Sequence, residues 1–137
     1  KQQFDEQIRI GIMIEIPAIA LIADLAAEEV DFASIGSNDL TQYLSAADRM
    51  NPEVAAYYKS DSTAMLRLLG FVFREFSKRE KEISVCGEMA GNPETAQLLV
   101  GLGARKLSMS SGNIAGVKAK LAECTLQELT ALAEKKL

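Results

Sequence analysis

Phe32-Ala33-Ser34-Ile35-Gly36-Ser37-Asn38-Asp39-Leu40-Thr41-Gln42-Tyr43 is a short apolar run that ends on a glycine and passes at once into an amide and a carboxylate. Such a run, closed by Gly and followed by a helical pattern, reads as a buried strand feeding a helix. Three more runs have the same form: residues 11–16 (GIMIEI), 83–86 (ISVC) and 106–109 (KLSM). A helical stretch follows each. Strands that are short and apolar on both faces, alternating with helices, define an α/β fold with a parallel sheet covered by helices.

The helix ends are legible too. Pro17 suits a first helical turn, and Ile19, Leu21, Ile22, Leu25 and Ala26 keep a helical stripe behind it. Asp61 or Ser62 can cap a long helix that carries Met65, Leu66, Leu69, Val72, Phe73 and Phe76. Asn92-Pro93 starts another, which Gly101 or Gly103 stops. Thr125-Leu126-Gln127-Glu128 has the spacing of a capping box, followed by Leu129, Leu132 and Leu137. Met13, Met89 and Met109 are expected in the core, and Cys124 is read as packing. The alternating charges between Arg74 and Glu82 read as a solvated helix face.

With 137 residues the chain is long enough for one domain with a real core and too short for two comfortable ones. Its 48% hydrophobic and 25% charged residues are those of an ordinary globular protein. A net charge of -4 without a stripe of Lys or Arg argues against nucleic acid. No run approaches the roughly 20 apolar residues of a membrane span, and the polar start, Lys1-Gln2-Gln3-Phe4-Asp5, is no secretion signal. The cytoplasm, with Cys86 and Cys124 reduced, is the expected setting. Histidine is absent, which removes imidazole as ligand and base, and two thiols cannot fill a tetrahedral zinc site.

The polar residues that interrupt this pattern sit at strand ends. Glu15 falls inside an apolar run, so its carboxylate is expected to be buried or nearly so and needs a cation or several donors. A lysine or arginine from elsewhere could supply them, and Asp39 alone could be a turn or cap residue. Taken together, two carboxylates on adjacent strand ends can share one Mg2+, which takes few protein ligands and fills its shell with water and substrate oxygens. Asn38 offers hydrogen-bond donors. Arg49, otherwise a surface helix residue, has a guanidinium fork that fits phosphate. Cys86 is either an inert buried thiol or a proton donor beside Gly87 and Glu88, since a thiol near pKa 8.5 can pass a proton at neutral pH.

Glu15, Asn38, Asp39, Cys86, Glu88 and Ser110 all fall at or just after the C-terminal ends of their strands, where (β/α)8 barrels build their sites. Four βα units are half of such a barrel, which takes about 250 residues. The segments GIMIEIPA, FASIGSNDLTQYLSAADRMNPEV and CGEMAGNPE closely resemble the C-terminal phosphoenolpyruvate-binding barrel of enzyme I of the bacterial sugar phosphotransferase system. Pyruvate phosphate dikinase and phosphoenolpyruvate synthase share the plan, but ADRMN and GEMAG are closer to enzyme I. Matching runs over roughly residues 11 to 117, through three motifs in order.

The resemblance implies that phosphoenolpyruvate binds with Mg2+, that its phosphoryl group passes to a histidine on a separate N-terminal domain and then to HPr, and that the enolate is protonated to pyruvate. Carried over by position, Glu15 and Asp39 would hold Mg2+, Asn38 and Arg49 (with Asp39) would contact the substrate, and Cys86 would protonate the methylene carbon. The family's histidine and its arginines from the first half of the barrel are absent. Residues 57–64 (YYKSDSTA) replace a segment the family writes with prolines. The whole chain, 1–137, is therefore expected to be a phosphoenolpyruvate-binding domain, the C-terminal half of a TIM-type barrel. It would be a fragment of a longer enzyme and inactive alone. Its edges, the strands at 11–16 and 106–109, invite pairing with a second copy, so a homodimer is expected. Competing readings are a dikinase or synthase half, a non-catalytic phosphoenolpyruvate sensor, and a free-standing open α/β domain. A reversal of strand order would favour the last of these.

Overall fold

The computed structural model describes residues 3–137, so Lys1 and Gln2 of the polar start lie outside the described residues. Strands β1 (Gly11–Ile14), β2 (Phe32–Gly36), β3 (Glu82–Cys86) and β4 (Leu107–Ser108) form one sheet in the order β1-β2-β3-β4. All three pairings are parallel. The order never reverses, so the sheet has no doubly wound switch point. Strands β1 and β4 are shorter than the sequence pattern predicts, because Glu15 and Ile16 already lead into a helix and Lys106 and Met109 lie beyond the pairing.

The connections carry α1 (Pro17–Leu21), α2 (Ala23–Glu29), α3 (Ser37–Ser45), a 3₁₀ turn (Pro52–Tyr57) and α4 (Thr63–Lys78). They continue with α5 (Glu88–Gly91), α6 (Pro93–Leu102), α7 (Ser111–Ala122) and α8 (Leu126–Glu134). Parallel crossovers are right-handed, so a sequential strand order lays the connecting helices on one side of the sheet. The registers show which side. Ile14, Ile35, Val85 and Leu107 lie in one row, and they pack into the core with Leu66, Leu69, Phe76 and Leu99.

The opposite face is different. Its row Met13, Ser34, Ser84 is small and polar apart from a methionine that is 44% exposed. Apart from Phe32 and Met13, the strands are thus apolar on one face, which corrects the two-faced reading. Met13 leaves the core for the same reason, since it alternates with buried Ile14; Met89 is buried and Met109 half-buried.

Caps behave as local chemistry dictates. Ser62 Oγ, not Asp61, accepts from the Met65 amide at 3.3 Å, and Asn92 Oδ1 accepts from Glu94 and Thr95 at 2.9 and 3.1 Å. Gly103, with φ +118°, ends α6, while Gly101 lies inside it. Both halves of the Thr125/Glu128 capping box form. Cys124 packs on α6, its sulfur accepting from buried Gln97 at 3.2 Å. The helix after Pro17 differs from expectation. It breaks at Ile22, and Ala20, Ala23, Ala26 and Ala27 face the core while Leu21, Ile22 and Leu25 face out. Small residues let the helices sit close to the sheet, so the larger ones are turned toward the open side of β1.

The charges at the end of α4 also differ from a solvated face. Glu75 is buried, takes Lys78 at 2.8 Å and Arg79 at 3.2 Å, and Arg79 continues to Glu28 of α2 at 2.8 Å. Lys78, and with it Arg79, holds the Glu75 carboxyl below its ordinary value of 4.5. A depressed carboxylate contributes stability above its unfolded pKa and loses it as pH falls through the folded one. Thermal midpoints measured from pH 7 down to pH 3 should therefore fall below about pH 4.5. Glu75→Gln should lower the pH 7 midpoint and flatten that part of the curve, whereas an unchanged curve would show the network to be inert.

Candidate functional site

The site is built where β1, β2 and β3 end. The pairing of Ile14 with Ile35 brings Glu15 level with Gly36. Gly36 makes room for it: a Cβ there would stand 2.9 Å from both Cβ and Oε2 of Glu15. Glu15 is half-buried rather than buried, and no lysine or arginine pairs with it among the described residues. Gly36 then caps α3, so Asn38 and Asp39 lie in the first turn of a helix, not in a loop. A carboxylate there is favoured by the helix N-terminus.

The β2 and β3 ends are locked together by short polar bonds. Ser37 Oγ, buried, donates to the Cys86 carbonyl at 2.6 Å, and Thr41 Oγ1 donates back to the Ser37 carbonyl at 2.7 Å. Asn38 Oδ1 accepts from the Glu88 amide at 3.0 Å. That bond decides which end of the amide is engaged: the oxygen is taken and the amino group remains as the donor. Gly87 allows the approach with φ +101°. The Cys86 thiol, half-buried on the same sheet face as Ser84, donates to the Ile35 carbonyl at 3.4 Å. Ser108 pairs with Cys86 in register, and a cleft of about 360 Å³ opens between Asn38, Cys86, Glu88 and Ser110.

Arg49 stands in the turn after α3, not on a helix. Ala46 adopts φ +51° and ends α3, and Gln42 Oε1 accepts from the Arg49 amide at 3.0 Å. The chain thus folds back, and the guanidinium comes within 3.8 Å of the Asp39 carboxylate. One participant escaped sequence reasoning. Tyr58, in the segment set aside as divergent, donates from its hydroxyl to the Asn38 carbonyl at 3.1 Å. Burial, then the Glu88 carboxylate, raises its phenol above the ordinary value; Arg49 opposes this and Asp39 adds to it. The aromatic residue just after a 3₁₀ turn was the signal available, but nothing local points it at Asn38.

All five expected residues therefore lie on one rim. Asn38, Asp39 and Arg49 are joined through α3 and its turn, Cys86 sits one strand over, and Glu15 faces Gly36 on the other side. The donor set fits Mg2+: two carboxylates at adjoining strand ends, one lodged over a glycine that a Cβ would crowd, with the remaining shell open to oxygens.

A parallel α/β layer with carboxylates, an amide, an arginine and a thiol on its carboxyl rim is the class of fold that builds small-ligand sites at that rim. Comparison with known proteins narrows this. The family "PEP-utilising enzyme, PEP-binding domain" matches residues 1–126, and the chain belongs to that family. It is 46% identical over 125 residues to multiphosphoryl transfer protein 2 of Escherichia coli, covering 91% of this chain and 15% of that protein. It is 43% identical over 134 residues to the phosphoenolpyruvate-protein phosphotransferase of Bacillus subtilis, covering 98% and 24%. The Listeria monocytogenes phosphotransferase is 44% identical over 135 residues, again 98% and 24%. The chain thus spans between 15% and 24% of the length of these relatives.

Proposed function

We propose that this chain is the phosphoenolpyruvate-binding domain of an enzyme I-type phosphoenolpyruvate-protein phosphotransferase. The observation that carries the reading is the convergence of Glu15, Asn38, Asp39, Arg49 and Cys86 on one rim of a sequentially ordered parallel sheet. The relatives' names agree with it. Glu15 and Asp39 would hold Mg2+, which supplies charge neutralisation at the phosphoryl oxygens. Arg49 and the Asn38 amino group bind and orient the phosphate. As the P–O bond breaks, the phosphoryl group leaves for a histidine on another domain and the electron pair stays with the enolate. Cys86 gives its proton to the methylene carbon, forming pyruvate and leaving a thiolate. The histidine domain and HPr, both outside this chain, are the partners, and a cytoplasmic setting with reduced thiols goes with the reaction. No helix among the described residues is long and apolar enough to cross a membrane.

In this reading the four βα units form half of a (β/α)8 barrel. Parallel sheets are ordinarily covered on both faces, yet the Met13–Ser34–Ser84 face is open, and Ile8, Ile10, Ile16, Leu21 and Leu25 are exposed alongside β1. Further βα units would cover both. The test is phosphoryl transfer from labelled phosphoenolpyruvate in the full-length protein. Label should appear on a histidine outside this chain only with Mg2+, and transfer to HPr by the 137-residue chain alone would overturn the assignment.

The open edge has a second consequence. The isolated chain should self-associate through β1 or β4, since an unpaired strand offers free amide and carbonyl groups to another copy. Light scattering should show at least a dimer, and a monodisperse monomer across the micromolar range would contradict the pairing.

A further inference from the structure

Cys86 is tied to the end of β2 at two points. Its sulfur donates to the Ile35 carbonyl at 3.4 Å, and its own main-chain carbonyl accepts from Ser37 Oγ at 2.6 Å. The two bonds have different fates in the proposed reaction. The thiol proton has to turn from Ile35 to the methylene carbon, so the first bond is given up as the proton is delivered. The second involves no atom that reacts, and it persists throughout. We propose that Ser37 is a positioning residue, whose hydroxyl holds the Cys86 main chain so that the thiol stays aimed at the substrate carbon while its own hydrogen bond is broken. This deepens the proposed function and rests on its reading of Cys86.

The chain around the serine places it for this task. A serine at a helix start ordinarily spends its side chain on the amides of its own first turn. Here Gly36 is the N-cap, Ser37 is the first residue of α3, and no side chain caps that helix. The hydroxyl instead crosses to β3, 49 positions along the chain. Ser37 is 1% exposed, so water does not compete for the bond, and Thr41 Oγ1 holds the serine's own carbonyl at 2.7 Å. Cys86 needs the restraint. It is the last residue of β3 and is followed by Gly87 at φ +101°. A glycine has no Cβ to hinder rotation of the peptide unit between them. Such a rotation would carry the Cys86 carbonyl away and loosen the strand end that bears the thiol, and the Ser37 bond opposes it directly.

The test uses the full-length protein with Ser37→Ala, Ser37→Thr, Cys86→Ala and the Ser37→Ala/Cys86→Ala double variant. Ser37→Ala should lower kcat for pyruvate formation roughly ten- to hundredfold, the size of a lost buried hydrogen bond. Its KM for phosphoenolpyruvate should move by less than about threefold, because the groups that bind phosphate are untouched. Ser37→Thr keeps the hydroxyl and should hold kcat within about threefold of wild type. In the Cys86→Ala background, Ser37→Ala should cost less than about threefold more, since no thiol is left to aim. Wild-type kcat in Ser37→Ala beside an impaired Cys86→Ala overturns the positioning role and leaves the site reading standing. Wild-type kcat in both overturns that reading as well. Losses that multiply in the double variant, or a threonine as damaging as the alanine, would show Ser37 to serve packing alone and overturn the proposal too.

Discussion

Cys86→Ala in the full-length protein should lower phosphoenolpyruvate turnover by roughly 10²- to 10⁴-fold, the share that a positioned general acid contributes. Substrate binding should change little, because the thiol's hydrogen bond runs to the Ile35 carbonyl at 3.4 Å and not to a group that holds phosphate. The signature is a split between steps. Phosphoryl loss from substrate should remain detectable as exchange, while pyruvate release collapses for want of a proton. Steady-state kinetics combined with isotope exchange would show this. The same variant separates an enzyme from a sensor, since a sensor that only binds phosphoenolpyruvate would keep its full response without the thiol.

The second large effect is structural and lies one residue further on. Gly87 holds φ +101°, ψ −172°, a region open to glycine, and an added Cβ would stand 2.5 Å from Ser37 Oγ and 2.8 Å from Asn38 Oδ1. Gly87→Ala therefore costs about 1–3 kcal/mol in backbone strain alone. It also displaces the two side chains that tie β2 to β3, through Ser37 to the Cys86 carbonyl and through Asn38 to the Glu88 amide. Hydrogen exchange of the α3 and α5 amides should accelerate, and phosphoenolpyruvate binding should be lost with it. Gly112 in α7 is the control, because a Cβ there meets nothing within 4 Å. Gly112→Ala should be neutral or stabilise by up to about 1 kcal/mol. If both alanines behaved alike, the crowding at Gly87 would have no energetic meaning.

What the sequence made legible was what is local. The four strands, the Ser62, Asn92 and Thr125 caps and the placement of polar residues at strand ends each depend on a few neighbouring residues, and the structure reproduces them. The convergence of Glu15, Asn38, Asp39 and Cys86 on one rim follows once the strands are taken as parallel, because parallel order puts every carboxyl end at the same side. The errors came from tertiary choice. Leu21, Ile22 and Leu25 make as good an apolar stripe as the alanines that displaced them, and only the closeness of the sheet decides between the two. Glu75 looked like any charge on an exposed face, yet it is buried and Arg79 bridges it to Glu28 of α2. Tyr58 was invisible as a site residue because its bond to Asn38 spans 20 positions and depends on the turn between them.

The sheet's two unlike faces are the most informative point the sequence did not give up. Alternation along each strand puts Ile14, Ile35 and Val85 under the helices, and Met13, Ser34 and Ser84 on the side that carries Cys86. Reading the strands as uniformly apolar hid that difference, which ties the thiol to the open face and, in a closed barrel, to its interior.

The central claim is that Glu15 and Asp39 hold one divalent cation together. Electron paramagnetic resonance of Mn2+ added to the full-length protein with phosphoenolpyruvate tests it most directly. Wild type should give the spectrum of a bound ion, and Glu15→Gln and Asp39→Asn should each weaken the affinity by at least about tenfold. Wild-type Mn2+ affinity in either variant would place the ion elsewhere and contradict the account.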